Sequence, residues 1–367
     1  MMLYRRTDIV LVAVTFLLIA FGLVMIYSTS AVLAQERYGD ALYFLKRQMV
    51  WAAIGLLALW GGRCVPYQVQ ERLTMPVVFC TLLVLVLVVL PQFGTEVGGA
   101  RRWLRLGPLT MQPSELAKYV LILYIARTLG REQERLNRFA YGYLPNALMM
   151  TLFALLIFSQ PDLGTALVLA ATSGILLLIA GVPLRYLGYT ALAALPLLYW
   201  GLVHVRFRFE RLLVFLDPWA DPLGGGYQSV QALLALGQGG LFGIGLGQSQ
   251  QKLFYLPEAH TDFIFAVIGE ELGFVGAALL VGLFLILLWR ILRIALSCHE
   301  PFGMYLAFGI FVLLTLQITM NLGVVVGLLP TKGLPLPFIS LGGSNLLVTL
   351  AAIGVVLNIA ETEGHFV

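Results

Sequence analysis

Ile9 to Ile26 is an uncharged run of about 18 residues, close to the length an α-helix needs to cross the hydrocarbon layer of a bilayer. Comparable apolar stretches recur to the end of the chain, starting near Val50, Met75, Leu116, Leu144, Thr165, Leu187, Phe263, Met304 and Leu346. Lipid offers no partner to a bare peptide N–H or C=O, so these stretches must satisfy their own backbones as helices. The expected fold is an all-α integral membrane protein with about ten transmembrane helices, a single polytopic domain over residues 1–367. With 60% hydrophobic and only 11% charged residues, the chain is far more apolar than soluble domains. Arg5 and Arg6 precede the first run as they would in a signal peptide, but the run is longer than a cleavable core and reads as a retained span.

An even number of spans puts both termini on one side. Arg63 and Arg72, the group Arg127, Arg131, Arg135 and Arg138, then Arg185, Arg290 and Arg293 share that side with Arg5 and Arg6. By the positive-inside rule both termini are cytoplasmic. The opposite face carries about as many basic residues, among them Arg101, Arg102, Arg105, Lys118, Arg206, Arg208, Arg211, Lys252 and Lys332. They form either a solvated loop face or an anion-binding surface outside the membrane, and their concentration in 101–118, 206–211 and 252–332 favours the second. Between the seventh and eighth spans lies a long extracytoplasmic loop, residues 204–262, in which Val230 to Leu236 suggests a short amphipathic helix. No Lys/Arg run of the kind that binds nucleic acid is present. Cys64, Cys80 and Cys298 are too far apart in sequence to form a metal or redox motif.

Charge inside such a chain is costly, so each charged residue near an apolar run is a candidate for function. Glu115 and Lys118 are three apart at the start of the fourth span, hence on one helical face, and Lys118 is already inside the apolar run. Asp162, followed by Gly164 and Thr165, has the pattern of a turn and helix cap. Gly237 to Gly247 is rich in glycine but lacks the strand and acidic partner of a dinucleotide fingerprint; tight turns and close approach to a partner or lipid headgroup explain it better. In Thr331 to Ser344 the prolines break helix, Ser344 can cap the last span, and the Gly-Gly-Ser turn with Lys332 can hold an anion. Gln317 and Asn321, four apart in the ninth span, read as interhelical glue.

The densest group is Glu258, His260, Asp262, Glu270 and Glu271. Asp262, immediately before the eighth span, is either an ordinary helix cap or a carboxylate poised at the outer surface as a general base. A metal site on Glu258, His260 and Asp262 lacks ligand spacing on a regular element. Glu270 and Glu271 lie about 12 Å further along the helix and are expected to be paired within the bundle.

Five segments together resemble the SEDS family (shape, elongation, division and sporulation), polytopic polymerases of bacterial cell-wall glycan. They are Arg101-Arg-Trp with Gln112-Pro-Ser-Glu-Leu-Ala-Lys118; Gln160-Pro-Asp-Leu-Gly-Thr-Ala166; Asp217-Pro-Trp with Gly226-Tyr-Gln228; Leu256-Pro-Glu-Ala-His-Thr-Asp-Phe-Ile-Phe265; and Leu336-Pro-Phe-Ile-Ser with Gly342-Gly-Ser344. Gln251-Lys-Leu and Leu329-Pro-Thr-Lys-Gly-Leu334 favour the division-type branch over the elongation-type, while Leu341 stands where the family pattern has an aromatic.

The resemblance implies a glycosyltransferase that polymerises lipid II, a disaccharide-peptide on undecaprenyl pyrophosphate, at the outer face of the bacterial cytoplasmic membrane during septal wall synthesis. The competing readings are a lipid II flippase, an elongation-type polymerase, and a non-enzymatic scaffold that recruits a wall-building partner. On the enzyme reading Asp262 is the catalytic base, and Arg101, Arg102, Glu115, Lys118, Asp162, Arg208, Lys332 and Ser344 bind or orient substrate. The implied partners are a class B penicillin-binding protein (a single-span transpeptidase), other divisome proteins and membrane lipid. No cofactor is assigned; a divalent cation (Mg or Mn) bridging carboxylate and pyrophosphate is an open alternative that no ligand spacing supports.

Overall fold

The computed structural model describes residues 7–97, 100–107, 109–131, 138–203, 211, 214–253 and 255–363. Helices dominate: α1 (Ile9–Tyr38), α2 (Tyr43–Cys64), α3 (Tyr67–Val89), α4 (Pro113–Arg131), α5 (Leu144–Phe158), α6 (Leu163–Ile179), α7 (Leu184–Val203), α8 (Tyr227–Gly239), α9 (Ile264–Ser297), α10 (Pro301–Val325) and α11 (Gly343–Glu363). Six helical stretches among the described residues are long and apolar enough to cross a membrane: α1, α3, Phe139–Phe158, α9, α10 and α11. The protein is thus a multi-pass membrane protein.

The helices start where local chemistry allows. Asp8 caps α1, its carboxylate accepting from the Leu11 N–H at 2.9 Å, and Gly39 at φ 68° ends it in the left-handed conformation that glycine tolerates. Helices α2 and α3 begin before the expected Val50 and Met75 because polar lead-ins, Lys46 to Gln48 and Gln68 to Arg72, wind into the same helix ahead of the apolar run. Outward faces stay apolar, with Leu57, Phe79, Leu192 and Leu285 all exposed, as lipid-facing positions should be. The buried centre is formed by α4, α10 and α11. At one end of the bundle ionic contacts join the helices, Asp8 to Arg290 at 2.6 Å and Arg63 to Glu361 at 2.7 Å, and the Tyr67 N–H adds a hydrogen bond to the Asn358 side-chain oxygen at 2.9 Å.

The expectation of helices alone needs one correction. Residues 94–111 form an antiparallel sheet, β1 (Gly94–Val97), β2 (Ala100–Leu106) and β3 (Leu109–Met111), in the order β1-β2-β3. Thr95 pairs with Trp103 and Leu104 with Met111, with a bulge between Thr95 and Glu96. Arg101-Arg-Trp-Leu-Arg-Leu106 alternates charged and apolar residues over part of its length, a period suited to a strand, and as a short non-helical link it is easily read as a headgroup anchor.

Helix α9 is broken. Gly273 has φ 66° and ψ −168°, a conformation open essentially to glycine alone. The loop after α8 is spliced into the break: the N–H groups of Phe274 and Val275 donate to the Gly240 and Leu241 carbonyls at 2.9 and 3.1 Å, while those of Ile244 and Gly245 donate to the Glu270 and Glu271 carbonyls, each at 3.0 Å. The backbone groups orphaned by the break are thereby paired, as an apolar setting demands. Gly239 and Gly243 make this approach possible; a β-carbon at Gly243 would stand 2.2 Å from the Glu271 carbonyl oxygen. The close approach is to α9. The predicted amphipathic helix at 230–236 is present as the longer α8.

Candidate active site

Three irregular segments and two helix starts meet at the end of the bundle opposite the ionic contacts. Asp262 is the last polar residue before α9, whose cap residue Phe263 receives no side-chain hydrogen bond. Asp262 is therefore not a helix cap. Its backbone is held instead: the Asn321 side-chain amide donates to the Asp262 carbonyl at 2.9 Å and to the Leu334 carbonyl at 2.7 Å. The Ser340 hydroxyl donates to the Thr261 carbonyl at 2.5 Å and accepts from the Leu336 N–H at 2.9 Å, and the Leu341 N–H donates to the His260 carbonyl at 3.0 Å.

The Asp262 side chain is half-buried and its carboxyl is pushed up to about 7. Burial is the main cause; Glu258 and Asp162 add to it, while Arg211 and Arg102 pull the other way. Arg211 itself is held below its ordinary value by burial, with Asp262 opposing, and its guanidinium reaches toward the Thr331 carbonyl at 3.4 Å. Lys332 follows at once and is lowered by burial. The next residue, Gly333, lies against the Asp262 carboxylate. His260 is half-buried with its ring 5.1 Å from that of Phe44, and burial lowers it, so it stands neutral beside the acidic group.

Asp162 behaves as its pattern predicts. Its carboxylate caps α6, accepting from the Thr165 N–H at 3.0 Å and hydroxyl at 2.9 Å. It also accepts from the Gln112 side chain at 3.2 Å. Arg102, on β2, donates to the Gln160 carbonyl at 2.9 Å and the Pro161 carbonyl at 2.6 Å, which fastens the sheet to the turn before α6. A β-carbon at Gly164 would lie 3.7 Å from Lys332 Cβ, so the α6 start and the 332 segment are neighbours. Asp162, Arg102, Lys332 and Asp262 are thus assembled from four separate parts of the chain.

The remaining expected residues divide. Lys118 and Glu115 form an ion pair at 2.9 Å, both nearly inaccessible, with Glu115 also accepting from the Asn345 side chain at 2.8 Å. Ser344 sits inside the first turn of α11 and accepts from the Gln112 N–H at 2.9 Å. It joins α4 to α11 rather than capping α11. Arg101 points to the sheet surface, 3.2 Å from Glu96. Arg208 lies outside the described residues. Glu270 and Glu271 are paired within the protein: Glu271 meets Lys252 at 2.9 Å and the Ser28 hydroxyl, and Glu270 accepts from Ser249 and from the Gln250 N–H at 2.9 Å. Among the described residues no group of three or more His, Cys, Asp or Glu is placed to hold a metal ion.

Sequence reading missed Arg211 and Gln112 as site residues. Arg211 belongs to the basic cluster 206–211, but nothing in its own pattern separates it from its neighbours. Gln112 carries no charge, and its significance lies only in the two helix starts it joins.

A bundle of apolar helices of spanning length defines a multi-pass membrane protein, here with a raised carboxyl among arginines at one end of the bundle. The chain belongs to the FtsW/RodA/SpoVE family of cell cycle proteins, whose sequence model matches residues 8–365. It is 45% identical over 353 residues to the probable peptidoglycan glycosyltransferase FtsW of Trichlorobacter lovleyi, covering 96% of this chain and 93% of that one. It is 41% identical over 354 residues to stage V sporulation protein E of Bacillus subtilis, covering 96% and 97%. Among solved structures, a chain from a peptidoglycan synthase complex that coordinates polymerization and crosslinking superposes with TM-score 0.80 at 34% identity, over 97% of this chain and 98% of that one. The rod shape determining protein RodA of Thermus thermophilus superposes with TM-score 0.73 at 31% identity, over 99% of each chain.

Proposed function

We propose that this chain is a peptidoglycan glycosyltransferase that polymerises lipid II at the outer face of the cytoplasmic membrane, with Asp262 as general base. The observation that carries the reading is the state of Asp262: half-buried, shifted to about 7, and flanked by Arg211 and Arg102. A carboxylate tuned near the working pH is well placed to take a proton in a transition state, a role worth roughly 10²–10⁴-fold.

In the reaction the 4-hydroxyl of an incoming lipid II attacks the anomeric carbon of the growing lipid-linked glycan. The new glycosidic C–O bond forms as the bond to pyrophosphate breaks, with inversion, and the hydroxyl proton passes to Asp262. Arg102, Arg211 and Lys332, with Arg208 and Arg101 as further candidates, offset the negative charge growing on the departing pyrophosphate. Asp162 orients this edge through Gln112 and the α6 start. Glu115, Lys118 and Ser344 shape the floor beneath it.

The reading places the site outside the membrane. Helices α2, α4, α6 and α7 complete ten passes; α2 and α4 are less apolar than the other six because they carry residues such as Lys46, Arg47, Glu115 and Lys118. The 204–262 segment then forms an outer loop within one membrane domain, and both termini are cytoplasmic. The likeness to division-type relatives and to a chain of a synthase complex supports a septal role beside a class B penicillin-binding protein and other divisome proteins.

The test supplies labelled lipid II to the purified protein, with and without a cognate class B penicillin-binding protein, and compares wild type with Asp262→Ala. Glycan polymer from wild type alone is expected. Equal polymerisation by both would remove Asp262 as the base; no polymer from either, with lipid II crossing vesicles in both, would establish a flippase instead.

A further inference from the structure

We infer that Asn321 and Ser340 form a polar clamp that positions Asp262 against the Lys332–Gly333 segment, so that the base is held in one geometry. The inference rests on the assignment of Asp262 as base. Asn321 comes from the last turns of α10, is 2% exposed, and spends both hydrogens of its amide on backbone carbonyls from two different segments, those of Asp262 and Leu334. Ser340 repeats the arrangement from the other side. Its hydroxyl donates to the Thr261 carbonyl and accepts from the Leu336 N–H, and it too is buried.

These bonds do little for the bundle as helix-to-helix glue, because in each case the partner atoms are backbone of irregular chain. Residues 260–262 lack the ladder of a helix, and Pro335 interrupts 332–336, so each segment leans on contacts from outside it. Two side chains, together with the Leu341 N–H bond to the His260 carbonyl, therefore set the spacing between them. That spacing decides how closely Gly333 covers the Asp262 carboxylate, and hence how much water reaches it. Asn321 and Ser340 touch no reacting atom on this account; they act through Asp262 and are positioning residues.

The experiment uses the full chain with its class B penicillin-binding protein partner and labelled lipid II. It measures turnover, KM and the pH dependence of turnover for Asn321→Ser and Ser340→Ala, each normalised to the folded fraction. Ser340→Ala removes a single hydroxyl, so the test does not depend on Asn321→Ser folding. The expected result is turnover lowered about tenfold or more with KM changed by less than about twofold, since misplacement of a reacting group costs rate before it costs binding. The acid limb of the pH profile is also expected to move down by about half a unit or more, as water reaches a carboxyl whose charged neighbours Glu258, Arg211, Asp162 and Arg102 are otherwise unchanged. Turnover per folded molecule and an acid limb both equal to wild type in the two variants would overturn the clamp. Asp262→Asn is run beside them: wild-type turnover there would overturn the base assignment and the clamp with it, whereas a dead Asp262→Asn with unaltered Asn321→Ser and Ser340→Ala overturns the clamp alone.

Discussion

A β-carbon added at Gly333 would stand 3.2 Å from Oδ2 of Asp262, tighter than ordinary packing allows. Glycine at 333 lets the backbone of the cation-bearing segment lie directly on the acidic group. Gly333→Ala forces a displacement of a few tenths of an ångström on one of the two. It is expected to lower glycan polymerisation about tenfold without altering the melting temperature, measured on lipid II with purified protein. Unchanged polymerisation would show that the contact is incidental.

The pH dependence follows from the raised carboxyl. Asp262 must be ionised to act as base, so polymerisation is expected to rise with pH through about 7. The stability effect has the opposite sign. The unfolded chain ionises near the ordinary value of 3.8 while the folded one holds its proton to about 7, so the protein loses stability between these values as pH rises. Asp262→Asn is expected to abolish turnover yet melt no lower than wild type at pH 8, as followed by thermal unfolding in detergent.

Lys118 and Glu115 are each other's main compensation at 2.9 Å in the bundle interior. Lys118→Met leaves a buried carboxylate with the Asn345 amide alone and is expected to destabilise by about 3–5 kcal/mol. Glu115→Gln combined with Lys118→Met should recover most of that loss. Lipid II polymerisation by the recovered double variant separates a contact with substrate, which stays lost, from a structural role, which returns.

Arg102 and its neighbour Arg101 should behave differently. Arg102 bonds two carbonyls of the turn before α6, whereas Arg101 meets Glu96 at the sheet surface. Arg102→Lys, which cannot present the same fork, is expected to reduce polymerisation about tenfold, and Arg101→Lys by no more than about twofold. Equal losses from both would point to a shared electrostatic role in place of a geometric one.

Gly273→Ala is expected to be severe. The added methyl would meet the Gly243 N at 2.3 Å in a backbone conformation that costs other residues about 1–3 kcal/mol before any clash. Loss of folded protein on size-exclusion chromatography checks it.

Much of the architecture was legible in the sequence because burial in lipid leaves a simple trace. Apolar runs of spanning length, the Asp162 cap, and the short helix at 230–236 all depend on residues close together in the chain, and each is found where local chemistry put it. The family motifs likewise pointed to Asp262. Other features had no local trace. The break at Gly273 is stable only because a loop thirty residues upstream supplies carbonyls and N–H groups to it. Asn321 looked like interhelical glue because nothing near it in sequence shows that Asp262 and Leu334 bring unpaired carbonyls to it. Ser344 had the pattern of a cap, and only packing of α4 on α11 turned its hydroxyl to Gln112. The sequence by itself determined a membrane bundle and its acidic residue, since hydrophobicity and chemical type are properties of residues. Tertiary structure alone decided which cations face that acid and what holds it, since those are distances between segments that the chain keeps far apart.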